Sequence, residues 1–171
     1  NVVVTVRRVT FGFLLATFIG VPLGVLAGCF PRVHAFFMPL IMFGRNIPIA
    51  ALLPLLILAV QFDLWFLSAN EQRKILFIFV ASVAFIMADT ARAISDVAER
   101  YVDTAYTLGA SRWQTITKVL VPLAAPTVFS SCRLMFGIAF GYIMLAESIK
   151  EAGGVGGLGF QIQTAQRRND L

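Results

Sequence analysis

Charge is scarce in this chain: Asp, Glu, Lys and Arg make up 13% of 171 residues, against 58% hydrophobic residues. A soluble domain carries nearer a quarter charged, and the mean hydropathy of +0.83 excludes an ordinary water-soluble core. Cysteine is also scarce. Cys29 and Cys132 both sit inside apolar runs without metal-ligand spacing, so they read as small buried hydrophobes rather than a disulfide framework or metal site. The single histidine, His34, can build neither a metal centre nor a catalytic triad by itself. No P-loop, H-E-x-x-H or G-x-S-x-G pattern occurs, so the chain reads as a non-enzyme with no metal and no nucleotide of its own. The net charge of +5 comes from bases scattered singly or in pairs at segment ends. That placement fits membrane-flanking charge better than nucleic-acid binding.

What the chain has in abundance is apolar runs near the ~20 residues that span a bilayer as a helix. They predict four spans, at about 9–30, 48–66, 75–93 and 121–146, in a single all-α, polytopic membrane domain over 1–171. In the first span Gly12, Ala16, Gly20, Gly24 and Gly28 recur every four residues, a stripe that lets another helix approach closely. Pro22 is expected to kink this helix. Residues 31–47 read as a broken linker carrying Arg32, His34, Pro39, Gly44 and Arg45, with a buried or interfacial helix at 35–43. Pro48 and Pro54 open the second span, either as plain kinks or beside a solute pathway. Residues 63–74 read as an interfacial turn. Asp89 can pair with Arg92 three residues on.

Near the middle of the fourth span lies Arg133. Exposed to lipid it costs at least ~2.5 kcal/mol, so it should face protein or water. Two roles stay open, a structural pair with Asp89 and the lining of an anion path. The glycine-rich stretch 153–159 permits tight turns but lacks the context of a dinucleotide site. Asn1 is not a Met, the chain begins inside the β-branched run Val2 to Val6 and it ends just after Arg167-Arg168, so a fragment with terminal helices lacking is expected.

Between the third and fourth apolar runs lies the one long polar passage, 103–122, within a proposed pair of short helices at about 95–120. Ile94, Val97, Ala98, Tyr101, Val102, Ala105 and Leu108 recur at helical spacing. Gly109 supplies a left-handed end to that helix. Ser111 and Gln114 form a capping-box candidate for the second. Pro122 and Pro126 are placed to open the run that follows.

This passage resembles the membrane subunits of bacterial ABC importers, whose loop carries E-A-A, three residues, Gly, nine residues, then I-x-L-P. Here the register is Asp103-Thr104-Ala105, Gly109, nine residues, then Val119-Leu120-Val121-Pro122. The spacing matches throughout and the substitutions are conservative. Further resemblance to the nitrate/sulfonate/taurine-type permease group lies in Arg8-Val9-Thr10-Phe11-Gly12-Phe13, Arg45 to Ala50 with Pro54-Leu55, Cys132-Arg133-Leu134, Ala146-Glu147 and Gly157-Leu158-Gly159.

The resemblance implies a type I (MetI-like) importer permease in the bacterial inner membrane. Its loop is the coupling helix that docks on a separate ATPase, which binds ATP and Mg. Asp103, Thr104, Ala105, Gly109, Val119, Val121 and Pro122 are the implied docking residues. Arg133, Pro48, Pro54 and Glu147 are candidates for the solute pathway. The implied partners are that ATPase, a second permease copy and a periplasmic or lipid-anchored binding protein, and the implied solute is a small anion of the nitrate, sulfonate, taurine or bicarbonate class. A channel, a secondary transporter or a non-transporting scaffold are the rival readings. Bases lie on both proposed sides, so charge does not orient the chain.

Overall fold

The computed structural model describes residues 2–46, 69–148 and 166. Every regular element among them is helical: α1 (Val2–Cys29), α2 (Pro31–Asn46), α3 (Ala69–Ser95), α4 (Glu99–Thr107), α5 (Arg112–Thr115), a π-helical segment (Ile116–Leu120) and α6 (Val121–Ser148). Three stretches are long and apolar enough to cross a membrane, Val2–Cys29, Glu71–Ser95 and Arg112–Met144. The span expected at 48–66, with Pro48 and Pro54, lies outside the described residues.

Several boundaries differ from the sequence reading. The broken linker is one continuous helix, α2. Pro31 stands at its first position, where the missing amide is not needed. The turn expected up to residue 74 ends earlier, because α3 already starts at Ala69 with Glu71 in its first turn, where a carboxylate complements the helix dipole. Ile94 and Val97 do not share a helix with Tyr101: α3 stops at Ser95, and α4 begins after Ala98, whose backbone is extended (φ −58°, ψ 131°). Pro122 and Pro126 do not start a fresh helix either, since α5, the π segment and α6 follow one another without a gap. The π turn gives a reason. Val121 donates its amide to the Ile116 carbonyl, and widening the helix there relaxes the register just where a proline ring would press on the carbonyl four residues back.

The chain folds as two compact units, and α1, α3 and α6 each contribute to both. In the first (residues 1–16, 46–82 and 136–171) Val9, Phe13, Phe77, Ile78, Ala139 and Ile143 are buried. Phe13 of α1 meets Phe136 of α6 edge-on, with ring centroids 5.2 Å apart at 67°, a favoured aromatic geometry. Gly12 lies where a Cβ would fall 2.8 Å from the Ile75 carbonyl oxygen, so α1 and α3 approach backbone to backbone.

In the second unit (residues 17–45 and 83–135) the same stripe continues. A Cβ on Gly20, Gly24 or Gly28 would fall 3.1 Å, 2.6 Å and 2.7 Å from the side chains of Ile86, Thr90 and Ile94 of α3. The four-residue glycine period is thus matched by the four-residue period of β-branched residues on α3. A Cβ on Gly44 of α2 would meet that of Ala84 at 2.6 Å. Ala93, Ile94 and Ala124 form a small core with Val25, Cys29, Val97, Leu120 and Val128 packed on it. Along α1, Phe11, Leu14, Leu15 and Phe18 are exposed at i, i+3, i+4, i+7, the pattern of a face turned to lipid.

Candidate functional site: the polar reversal and a buried ion cluster

In the second unit the polar passage folds as α4, a tight turn and α5. Gly109 adopts φ 79°, the one positive φ among the described residues, and this left-handed residue lets the chain reverse. Its amide donates to the Tyr106 carbonyl at 2.9 Å and that of Ala110 to the Ala105 carbonyl at 3.0 Å. Carbonyls at the end of α4 are thereby satisfied. The restart at Ser111 is a full capping box. Ser111 Oγ accepts from the Gln114 amide at 3.4 Å, and Gln114 Oε1 accepts from the Ser111 amide at 2.8 Å. Ser111→Ala is expected to cost about 1 kcal/mol locally, seen as faster amide exchange at 112–115 while exchange in α1 is unchanged.

Threonine hydroxyls here bond back to the helix, Thr104 to the Arg100 carbonyl at 2.6 Å and Thr117 to that of Trp113 at 2.8 Å. The outer surface is left to apolar groups. Leu108 is 82% and Trp113 64% exposed, and Tyr101 and Tyr106 are exposed beside them. The Arg100 guanidinium lies 5.0 Å from the Tyr101 ring centre. A cleft of about 590 Å³ opens between the two arms, lined among others by Thr104, Ala105, Leu108, Gly109 and Val119.

The cleft therefore gathers Thr104, Ala105, Gly109 and Val119 from the sequence-predicted set. It does not include Asp103, which is exposed on α4, or Val121 and Pro122, which are exposed in the first turn of α6. Ala105 is buried, and its small side chain admits the chain folding back over it.

The candidate pathway residues separate. Arg133 is exposed on α6 and forms no ion pair among the described residues. Neither pairing with Asp89 considered from sequence is among the ion pairs of the described residues, and Arg92 and Arg133 are both exposed.

Glu147 is buried in the first unit, in a cluster that sequence reasoning did not assemble. Arg8 Nη1 donates to Glu147 Oε1 at 2.8 Å, and Arg8 Nε donates to both Glu71 oxygens at 3.1 and 3.0 Å, with Nη2 also on Glu71. Thr5 Oγ1 lies 2.9 and 3.0 Å from the two Glu147 oxygens. Arg7 reaches Glu71 from the exposed side at 3.4 Å. The Arg8 and Glu147 side chains are 1% and 0% exposed. A usable signal was present: charges buried at membrane depth need partners, and Arg8, Glu71 and Glu147 sit in or at the ends of apolar runs.

Residues 20–171 match the family of binding-protein-dependent transport system inner membrane components. The chain belongs to this family. It is accordingly a protein of the inner membrane, helical throughout its described elements, of the ABC transporter permease type and similar to the nitrate/sulfonate/taurine group. It is 30% identical over 98% of its length to the bicarbonate transport system permease protein of Synechococcus elongatus, covering 57% of that protein. It is likewise 30% identical over 94% of its length to the taurine transport system permease protein of Escherichia coli, covering 55% of it. The chain thus spans little more than half the length of these relatives.

Proposed function

We propose that this chain forms part of the solute pathway of an ATP-driven, binding-protein-dependent importer for a small oxyanion, and that it couples to a separate ATPase that binds ATP and Mg. The observation that carries the reading is the coupling segment. A glycine-dependent reversal and a capping box hold a cleft open and leave Leu108 and Trp113 exposed on a polar loop, where large apolar side chains are otherwise out of place. Such residues beside a preformed cleft suit a protein partner. Thr104, Ala105, Gly109 and Val119 contact the ATPase in this reading, with Asp103, Val121 and Pro122 at the margin. A second copy of the permease and an extracytoplasmic binding protein complete the assembly, and closure of the ATPases biases the helices between two states. The test is co-purification of the full-length permease with its candidate ATPase from membranes. Stable association is expected, and its absence would overturn the reading.

Arg133 fits the same scheme. A guanidinium on the outer face of a spanning helix is costly against lipid, which favours a water-filled path or a second copy as its surroundings. Arg133→Gln is expected to lower uptake of an anionic solute about tenfold or more while assembly with the ATPase persists. Unchanged uptake in vesicles would remove Arg133 from the path. The Glu147 carboxylate is already held by Arg8 and Thr5, which favours an anchoring role for it over a place in the path.

A further inference from the structure

We propose that Arg8 is an ionic clamp that holds the first half of α1, the start of α3 and the end of α6 together as one body throughout the transport cycle. It is a positioning residue for that cycle, and the proposal rests on the permease reading above. All three guanidinium nitrogens are engaged, on two carboxylates from two different helices. Glu71 lies in the first turn of α3 and Glu147 in the last turn of α6, so a side chain of α1 joins the ends of the other two. Thr5, one turn before Arg8, adds a second donor to Glu147.

Opposite charges hold the cluster closed. Arg7 meets Glu71 from the exposed side, Lys74, itself buried, adds its charge beside the same carboxylate, and the buried Arg8 meets both acids. Parting α6 from α1 would strip the buried Glu147 carboxylate of that guanidinium and hydroxyl, a costly loss in surroundings of low dielectric. A gate has to open at modest cost. This cluster is built the other way, so it serves as a fastening, and the edge-on contact of Phe13 with Phe136 lies between the same two helices.

The clamp can be replaced by a covalent link. In the full-length permease with its ATPase in proteoliposomes, Cys29→Ser and Cys132→Ser remove the native thiols. Phe13→Cys and Phe136→Cys are then bridged with a short bifunctional thiol reagent. Uptake of labelled taurine or bicarbonate, supplied with the binding protein, is expected to stay within about twofold of the unbridged protein, since a fastening that never opens tolerates a bond. Arg8→Gln is expected to lower both uptake and bridging yield by about fivefold or more, and bridging is expected to restore uptake in the fraction that reacts. Loss of uptake on bridging the parent, or an Arg8→Gln protein with parental bridging yield, would overturn the clamp. If Arg8→Gln does not accumulate, Thr5→Val removes one donor only, and it should lower the yield about twofold; an unchanged yield counts against the proposal. A parent that takes up nothing with its ATPase speaks against the permease reading, whereas the bridging yields still judge the clamp.

Discussion

Replacing Gly24 by leucine is expected to leave no recoverable folded protein. A Cβ at this position would lie 2.6 Å from the Thr90 Cβ and 2.7 Å from the Met87 carbonyl oxygen. The second of these is helix backbone, which cannot step aside as a flexible side chain can. Even Gly24→Ala therefore requires α1 and α3 to separate, at about 1–3 kcal/mol for one overpacked methyl, and a leucine multiplies the displacement. The loss is severe because lipid is as apolar as the helix surface. Close packing is the main attraction between the two helices, and it is what the added atoms destroy.

The effect should be graded along the stripe. A Cβ on Gly20 would come no nearer than 3.1 Å to its neighbours and one on Gly28 would come within 2.7 Å, whereas Gly137 and Gly141 of α6 have nothing within 4 Å. Alanine should cost most at 24 and 28, less at 20, and almost nothing to the fold of this chain at 137 or 141. Thermal unfolding of the purified variants in detergent checks the order. Gly24→Leu accumulating as a monodisperse protein with the parental midpoint would contradict the packing described.

Gly109 gives the second large effect, and here folding and docking part company. Any side chain at φ 79° meets the left-handed penalty of about 1–2 kcal/mol, but nothing lies within 4 Å of a Cβ there. Gly109→Ala should fold with a modest loss. Gly109→Trp pays the same backbone strain and adds an indole to the cleft that Thr104, Ala105 and Val119 line. If the ATPase docks there, affinity should fall about a hundredfold or more, since a buried clash at an interface centre outweighs several rim contacts. Co-purification with the ATPase measures it. Association that survives Gly109→Trp would take the coupling role away from this cleft, while loss with both Trp and Ala would point to the backbone turn instead.

How much was legible beforehand depends on the range of the interaction. The reversal at Gly109 and the capping box of Ser111 and Gln114 were readable because each is decided within a few residues of chain, by backbone sterics and by one side chain meeting one amide. The glycine stripe was readable as a stripe, because a four-residue period marks one face of a helix whatever lies opposite. Less was legible at boundaries: proline and polar residues suggested breaks at 31–47 and 122–126, yet the helix begins at Pro31, and the π turn accommodates Pro122.

Sequence by itself determined that this is a helical membrane protein of the ABC importer permease kind, since apolar run length and motif spacing are properties of the chain read in order. Only the tertiary structure decided which residues of α3 receive the glycines of α1. It also decided that Arg133 is exposed, and that Arg8 meets Glu71 and Glu147, 63 and 139 residues away. A buried charge specifies that it needs a partner but not which one. That choice is made by the helix packing, because only one arrangement brings the carboxylates within reach of the guanidinium.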